Sequence, residues 1–253
     1  MAITGLNVAI IGGGLGGLSA AISLRRAGHR VTIYERRDFA GEIGAGIGIP
    51  SNGSKWLYKW GVDVSAGLPV VMSKLIVHRW DTGDVVATFP LGDYKEKFSY
   101  DTLGFQRCDL HGILLDTALS MEGVGIPCTL VTNHLAVAVE AELGWVTFEN
   151  GRVVTADLVI AADGIHSRMR AAIGITPVVK EALSHAYRHV IPMEKVRQLG
   201  LEGIGSNEAL EYWVHKGGVS KIVIGTGHGG EVLSIYSFFP FVPMNKARWL
   251  KSD

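Results

Sequence analysis

The spacing of apolar residues changes along this chain, and each change marks an element. Residues 8–11, VAII, are an uninterrupted apolar run, β-branched at three positions, which is the pattern of a parallel strand covered on both faces. Residues 15 to about 27 read as a helix for which Gly28 supplies a natural stop, and VTIYE at 31–35 returns to a strand pattern. The opening of the chain is therefore expected to be a strand, a helix and a second parallel strand.

Farther on, a short helix is expected after the glycine-rich loop, capped by Ser51 or Asn52 and ended by Gly61. Residues 74–90 alternate on either side of Thr82-Gly83-Asp84 and predict a hairpin, the first sign of an antiparallel layer. A helix follows with Asp109 as its N-cap and Leu110, Leu114, Ala118 and Met121 on one face. Residues 135–140 and 145–149 alternate as strands, and Asn150-Gly151 is expected as a two-residue hairpin turn into 152–155. Residues 158–162 read as a second buried strand, leading into an Asp163-Gly164 turn and a helix that carries Ser167 and Arg170 early on. Beyond Gly174, residues 187–192, 209–215, 221–225 and 232–239 suit an antiparallel sheet that continues the hairpin. The fold class is thus α/β: a Rossmann-like βαβ domain with a β-meander over 1–70 and 101–175, and an antiparallel-sheet domain over 71–100 and 176–253.

The turn between the first strand and helix carries the chemistry. Gly12, Gly14 and Gly17 form G-x-G-x-x-G, in which the first allows a tight turn, the second lets backbone approach a diphosphate, and the third lets the helix lie close on the strand. The helix N-terminus offers amides and a positive dipole end to that anion. Glu35 stands where an acid accepts hydrogen bonds from an adenosine ribose and repels a 2′-phosphate, which favours FAD or NAD over NADP. Arg107, just before a helix, is placed for phosphate oxygens or for solvent, and Gly44-Ala45-Gly46 lets backbone come near a flat ring or forms a surface loop.

Composition narrows the field. A hydrophobic share of 47% over 253 residues is ample for a core, and 24 basic residues against 24 acidic ones leave no charge field for nucleic acid or an anionic membrane. Cys108 and Cys128 form neither a disulfide framework nor a metal spacing, and the histidines make no zinc motif, so no metal site is expected. The apolar N-terminus lacks a basic leader and is broken by five glycines, so a soluble, cytoplasmic protein without a membrane span is expected.

The glycine turn with Glu35, QRCDLH around Arg107, and DLVIAADGIHSRMR at 157–170 stand in an order that resembles the single-component FAD-dependent aromatic hydroxylases, the salicylate hydroxylase-like monooxygenases. GAGIGIPSN, from Gly44, is similar to that family's loop near the flavin. The resemblance implies an FAD-binding domain in which Gly12, Gly14 and Gly17 hold the diphosphate, Glu35 the ribose, Ala45 a place beside the cofactor, and Arg107 and Asp163 further contacts. It also implies hydroxylation of a phenolic or polyketide-like aromatic with NAD(P)H and O2. Arg188 is similar to an arginine that some fungal members set against a phenolate, while Tyr187 and Tyr212 are weaker candidates. The family's later G-D-x-x-H-x-x-x-P segment does not occur before Asp253. That absence sets a truncated, non-catalytic FAD-binding remnant beside hydroxylation, and the first glycine turn taken alone equally fits an NAD-dependent dehydrogenase.

Overall fold

The computed structural model describes residues 5–38, 44–201, 203–205 and 208–240, so part of the glycine-rich loop (39–43) and the polar end of the chain (241–253) lie outside the described residues. In chain order the elements are β1 (Asn7–Ile11), α1 (Leu15–Arg26), β2 (Arg30–Tyr34), β3 (Gly46–Ile49), α2 (Ser51–Trp60), β4 (Val70–Val71), β5 (Lys74–Arg79) and β6 (Val85–Pro90). They continue with α3 (Tyr94–Phe98), β7 (Leu103–Gln106), α4 (Arg107–Leu119), β8 (Thr129–Val131), β9 (Ala136–Glu140), β10 (Trp145–Phe148), β11 (Val153–Thr155) and β12 (Leu158–Ala161). The last are β13 (Ser184–Pro192), α5 (Met193–Gln198), β14 (Ala209–Val214), β15 (Lys221–Gly227) and β16 (Val232–Pro240).

Two compact units emerge: Met1–Ile43, Lys55–Gly67 and Arg107–Val178 in one, Gly44–Ser54, Leu68–Gln106 and Val179–Asp253 in the other. Compared with the expected bounds, residues 44–54, 68–70 and 101–106 fall in the second unit and 176–178 in the first. The reason is local pairing, since β3 and β4 both flank β7 in a small antiparallel sheet.

In the first unit, four parallel strands lie in the order β12-β1-β2-β8. Central β1 is paired on both edges, with Val8 opposite both Leu158 and Val31, which explains its unbroken apolar run. Ala9 and Ile11 pack with Tyr34, Ala136, Val146, Phe148 and Met169, so the meander β9-β10-β11 covers one face of the sheet. Val8 and Ile10 point to the other face, where α1 and α4 bury Leu18, Ala21, Ile22, Leu110 and Leu114. β12 differs from expectation: it is an edge strand, and Leu158 is 38% exposed because β1 is its single partner among the described residues.

α1 ends as the glycine predicts. Gly28 adopts φ +92°, its N–H reaches Arg25 O at 3.0 Å, and His29 N–H reaches Leu24 O at 3.1 Å, a Schellman closure. α4 corrects two expectations. It begins at Arg107, so Asp109 lies in its first turn and is not the N-cap. It also stops at Leu119, and Met121, beyond the end, is 86% exposed.

A single side chain ties the tails of these two helices together. Arg25 is 2% exposed, and its hydrogen-bond partners among the described residues are all backbone carbonyls. Its Nε donates to Val124 O, its Nη1 to Thr117 O (2.8 Å) and Ala118 O, and its Nη2 to Glu122 O (3.0 Å) and Gly125 O. Thr117 and Ala118 belong to the last turn of α4, and Glu122, Val124 and Gly125 to the segment just beyond it; Ala118 O also accepts from Cys128 N–H, and the partial negative charge of the five carbonyls compensates the guanidinium.

In the second unit the six strands run β13-β16-β15-β14-β5-β6. All neighbours are antiparallel except β14 and β5, which are parallel with Trp213 opposite His78, so the early hairpin joins the later sheet through one parallel junction. α5 covers one face, over Met193, Val196, Ile224 and Leu233. The small β3-β7-β4 sheet lies against the opposite face, where Gln106 Nε2 donates to Ser234 Oγ at 3.1 Å. Among the described residues no helix is long and apolar enough to cross a membrane.

Two outcomes test this account. Arg25→Met leaves up to four carbonyls without donors, since Ala118 O keeps the Cys128 N–H, at about 1–3 kcal/mol for each that stays buried, and urea unfolding is expected to show a loss of at least ~3 kcal/mol. A loss under ~0.5 kcal/mol, the range of ordinary surface changes, would contradict the clamp. Burial also pushes the Cys128 thiol up to about 11, against a weaker opposing pull from Arg25. An unfolded thiol ionises near about 8.5, so between that pH and about 11 the folded state holds a proton that the unfolded state has lost. Stability should therefore fall as pH rises through that window, and Cys128 should resist alkylation at pH ~8 until the protein unfolds.

Candidate nucleotide-binding site

Backbone contacts bring the sequence motifs of the first unit to one point. Gly12 sits at the end of β1 with φ +110°, and a Cβ there would lie 2.3 Å from Ala162 O and 3.1 Å from Asp163 N. A Cβ on Gly17 would meet Gly12 O at 1.9 Å, whereas one on Gly14 or Gly16 would meet nothing within 4 Å. The first and third glycines are therefore consumed by packing, and the space in front of Gly14 is open to a ligand. Gly14 is the N-cap of α1, with the unpaired first-turn amides beside it.

Glu35 lies just past β2 and grips the turn. Its Oε2 accepts from Gly13 N–H at 2.7 Å and its Oε1 from Arg37 N–H at 3.0 Å, which leaves lone pairs for further donors. α4 approaches from the other side, where His111 Nε2 contacts Gly13 O at 2.8 Å. Arg107, one turn earlier on α4 and half-buried, shares that helix face. Sequence reasoning missed His111. The signal was present, because an i, i+4 pair beginning at Arg107 shares one side of a helix.

The Asp163-Gly164 turn completes the arrangement. Asp163 Oδ2 accepts from Arg168 N–H at 2.8 Å and Met169 N–H at 3.4 Å, while its Oδ1 is buried with no donor among the described residues. The expected helix here is a short 3-10 turn, Met169–Ile173, with Ser167 before it and Arg170 inside it. Arg170 Nη2 donates to Ile165 O, whereas Ser167 Oγ and Arg170 Nε are buried without partners among the described residues.

Ala45 and Arg188 belong to the second unit, where Ala45 is buried beside Gly46. Arg188 on β13 faces Tyr236 on β16, Tyr236 faces Val223 on β15, and Val223 faces Tyr212 on β14. Directly opposed residues share a sheet face, so Arg188, Tyr236 and Tyr212 form one row. Tyr236 donates its hydroxyl hydrogen to Gly46 O, which puts the row next to the Gly44-Ala45-Gly46 segment. Tyr187 points to the opposite face and packs edge-on against Phe239. Tyr236 went unnoticed in the sequence because nothing local distinguishes it from any strand tyrosine. Burial raises the hydroxyls of both Tyr212 and Tyr236 above the usual phenol range, with Arg188 opposing weakly at Tyr236.

A family model described as FAD binding domain matches residues 5–219. Hispidin-3-hydroxylase of Neonothopanus nambi is 39% identical over 165 residues, covering 65% of this chain and 39% of its own. The FAD-dependent monooxygenase cfoG of Aspergillus candidus is 32% identical over 235 residues, covering 91% of this chain and 52% of its own. Among solved structures, CtdE in complex with FAD and a substrate superposes with TM-score 0.76 at 25% identity, over 94% of this chain and 58% of that one. The 2-methyl-3-hydroxypyridine-5-carboxylic acid oxygenase superposes with TM-score 0.77 at 24% identity, over 96% and 60%, a likeness of fold. The chain thus spans about half the length of the curated relatives it matches.

The three glycines should separate in mutagenesis. Gly17→Ala drives a methyl into Gly12 O and is expected to abolish or severely reduce folding. Gly14→Ala has room for the methyl and should cost no more than ~1 kcal/mol of stability, yet weaken binding of ADP at least tenfold, as read by calorimetry. Equal stability losses in the two variants would contradict the division of roles.

Proposed function

The chain belongs to that FAD-binding-domain family, and on this premise we propose that it binds FAD and serves in the hydroxylation of a phenolic or polyketide-like aromatic with NAD(P)H and O2. One observation carries the reading: the glycine turn abuts Ala162-Asp163 on one side and the Arg107 helix on the other, so all three motifs meet. The residues suit the cofactor. Gly14 leaves an open cradle, Glu35 keeps acceptor capacity for a ribose, and Asp163 Oδ1 lacks a donor.

In this reading Gly14 and the first-turn amides of α1 face the diphosphate, with Gly12 and Gly17 shaping the turn, and Arg107 adds charge-assisted hydrogen bonds. Glu35 accepts from the adenosine ribose and its charge rejects a 2′-phosphate there. Asp163 offers a further acceptor, and Ala45 is a cofactor neighbour by resemblance. When bound, the flavin supplies the redox chemistry between NAD(P)H, O2 and the ring.

The protein's own part is to bind, orient and set protonation. Arg188 is a fixed cation on the same sheet face as two tyrosines, and it favours an ionised phenol, whose electron-rich ring is the better nucleophile. Tyr212 and Tyr236, with hydroxyls pushed upward by burial, stay protonated near neutral pH and keep their donor hydrogens. Both cysteines are free, which suits a reducing cytoplasm.

The cofactor claim is tested by adding FAD and NAD separately to purified protein. FAD is expected to raise the melting temperature, with about 2.7 kcal/mol of stabilisation at a hundred times its Kd. No rise, or a rise with NAD alone, would remove the flavin reading. For the reaction, a phenolic substrate should stimulate NAD(P)H oxidation and yield hydroxylated product. Arg188→Ala should lower kcat/KM about ten- to a hundredfold, the scale of a lost charged hydrogen bond, and shift the pH profile upward toward the free phenol's ionisation. An unchanged profile would release Arg188 from that role.

A further inference from the structure

The buried contact between α4 and the glycine turn has a chemical direction. His111 is 4% exposed, and its Nε2 lies 2.8 Å from Gly13 O. A carbonyl oxygen only accepts, so Nε2 carries the proton and donates it. On the other side, Gly13 N–H is held by Glu35 Oε2 at 2.7 Å. Gly13 is thus gripped through both of its backbone polar groups by side chains from two different elements.

The consequence follows from the planarity of the next peptide. In a trans peptide the carbonyl and the following N–H point in opposite directions. With Gly13 C=O aimed at His111, Gly14 N–H is aimed away from α4. Gly14 is also the N-cap of α1, and the space around its Cβ position is open. Glycines flanked by glycines have the least intrinsic resistance to a peptide flip. In the run from Gly12 to Gly14, local sterics alone would not decide which face presents the amide and which the carbonyl. An inverted peptide would turn a carbonyl dipole toward a diphosphate.

We propose that His111 is a positioning residue for the nucleotide loop: by donating from Nε2 to Gly13 O it locks the Gly13-Gly14 peptide so that Gly14 N–H faces the diphosphate. The inference rests on the nucleotide-binding part of the proposed function. Because the same helix carries Arg107, one element sets both the amide and the cation that meet the anion.

Three measurements test it. Nitrogen-15 NMR of ligand-free protein should show His111 as the Nε2–H tautomer, and an Nδ1–H tautomer would overturn the proposal. Amide exchange at Gly14 should quicken in His111→Leu while the amides of β1 keep their protection. Binding of ADP and FAD should weaken about tenfold in His111→Leu, equivalent to the loss of one buried hydrogen bond. His111→Gln, whose amide nitrogen can occupy the place of Nε2, should return affinity to within about threefold, a restoration of the one donor removed. Adenosine, which lacks the phosphates, should bind equally to all three proteins. If the leucine variant fails to fold, His111→Asn, too short to reach Gly13, replaces it. Equal loss in the glutamine and leucine variants, or weakening of adenosine alongside ADP, would reduce His111 to a packing residue and overturn the proposal. Wild-type protein that binds ADP but not FAD would defeat the flavin reading alone, whereas binding of neither defeats both.

Discussion

Everything in the first unit depends on one close approach of backbones. At Gly12 the end of β1 passes Ala162 at the end of β12, and the first turn of α1 comes down on Gly12 through Gly17, at distances no side chain could share. The contact exists because the parallel sheet sets β1 and β12 edge to edge in register, Ile11 opposite Ala161, so the two chains leave the sheet side by side. Helix N-termini and strand C-termini meet there, the place where open parallel sheets leave a crevice for ligands.

The same economy governs the two helices. α1 and α4 both start at this crevice, and their far ends are joined by the Arg25 guanidinium bonded to carbonyls around the end of α4. A cation at a helix C-terminus is favoured by the dipole, so the clamp needs no partner carboxylate. In the proposed role, fixing the tails would hold the N-terminal amides in place before an anion arrives. Binding there would then cost little ordering entropy, which is the physical meaning of preorganisation.

The second unit solves a different problem. Its sheet must bury one face under α5 and still offer polar groups on the other, and strand alternation permits both without conflict. Arg188, Tyr236 and Tyr212 reach the same face from β13, β16 and β14, while Tyr187, one residue from Arg188, is turned away. Burial raises the two tyrosine hydroxyls, so a permanent cation stands on the same face as two neutral donors.

What the sequence by itself determined is whatever depends on near neighbours. The apolar run of β1, the Gly28 stop and the G-x-G-x-x-G spacing each follow from the conformational preferences of a few consecutive residues, and the structure contains them; the chain also turns at Asn150-Gly151, but Phe148 pairs with Arg152, so the loop takes in Glu149 as well and is one residue longer than the two-residue turn expected. Asp109 and Met121 were misjudged for the same reason in reverse: α4 begins at Arg107, directly after a strand, and ends before Met121, at boundaries that tertiary packing sets. Only the folded chain decided which distant residues share a surface. Gly13 meets His111 across 98 positions, and the Arg25 clamp spans a similar distance. Tyr236 joins Arg188 through an antiparallel register that no local pattern encodes. Sheet order and helix docking are chosen by the burial of whole faces, a sum over the entire core, and so they become visible in the three-dimensional arrangement alone.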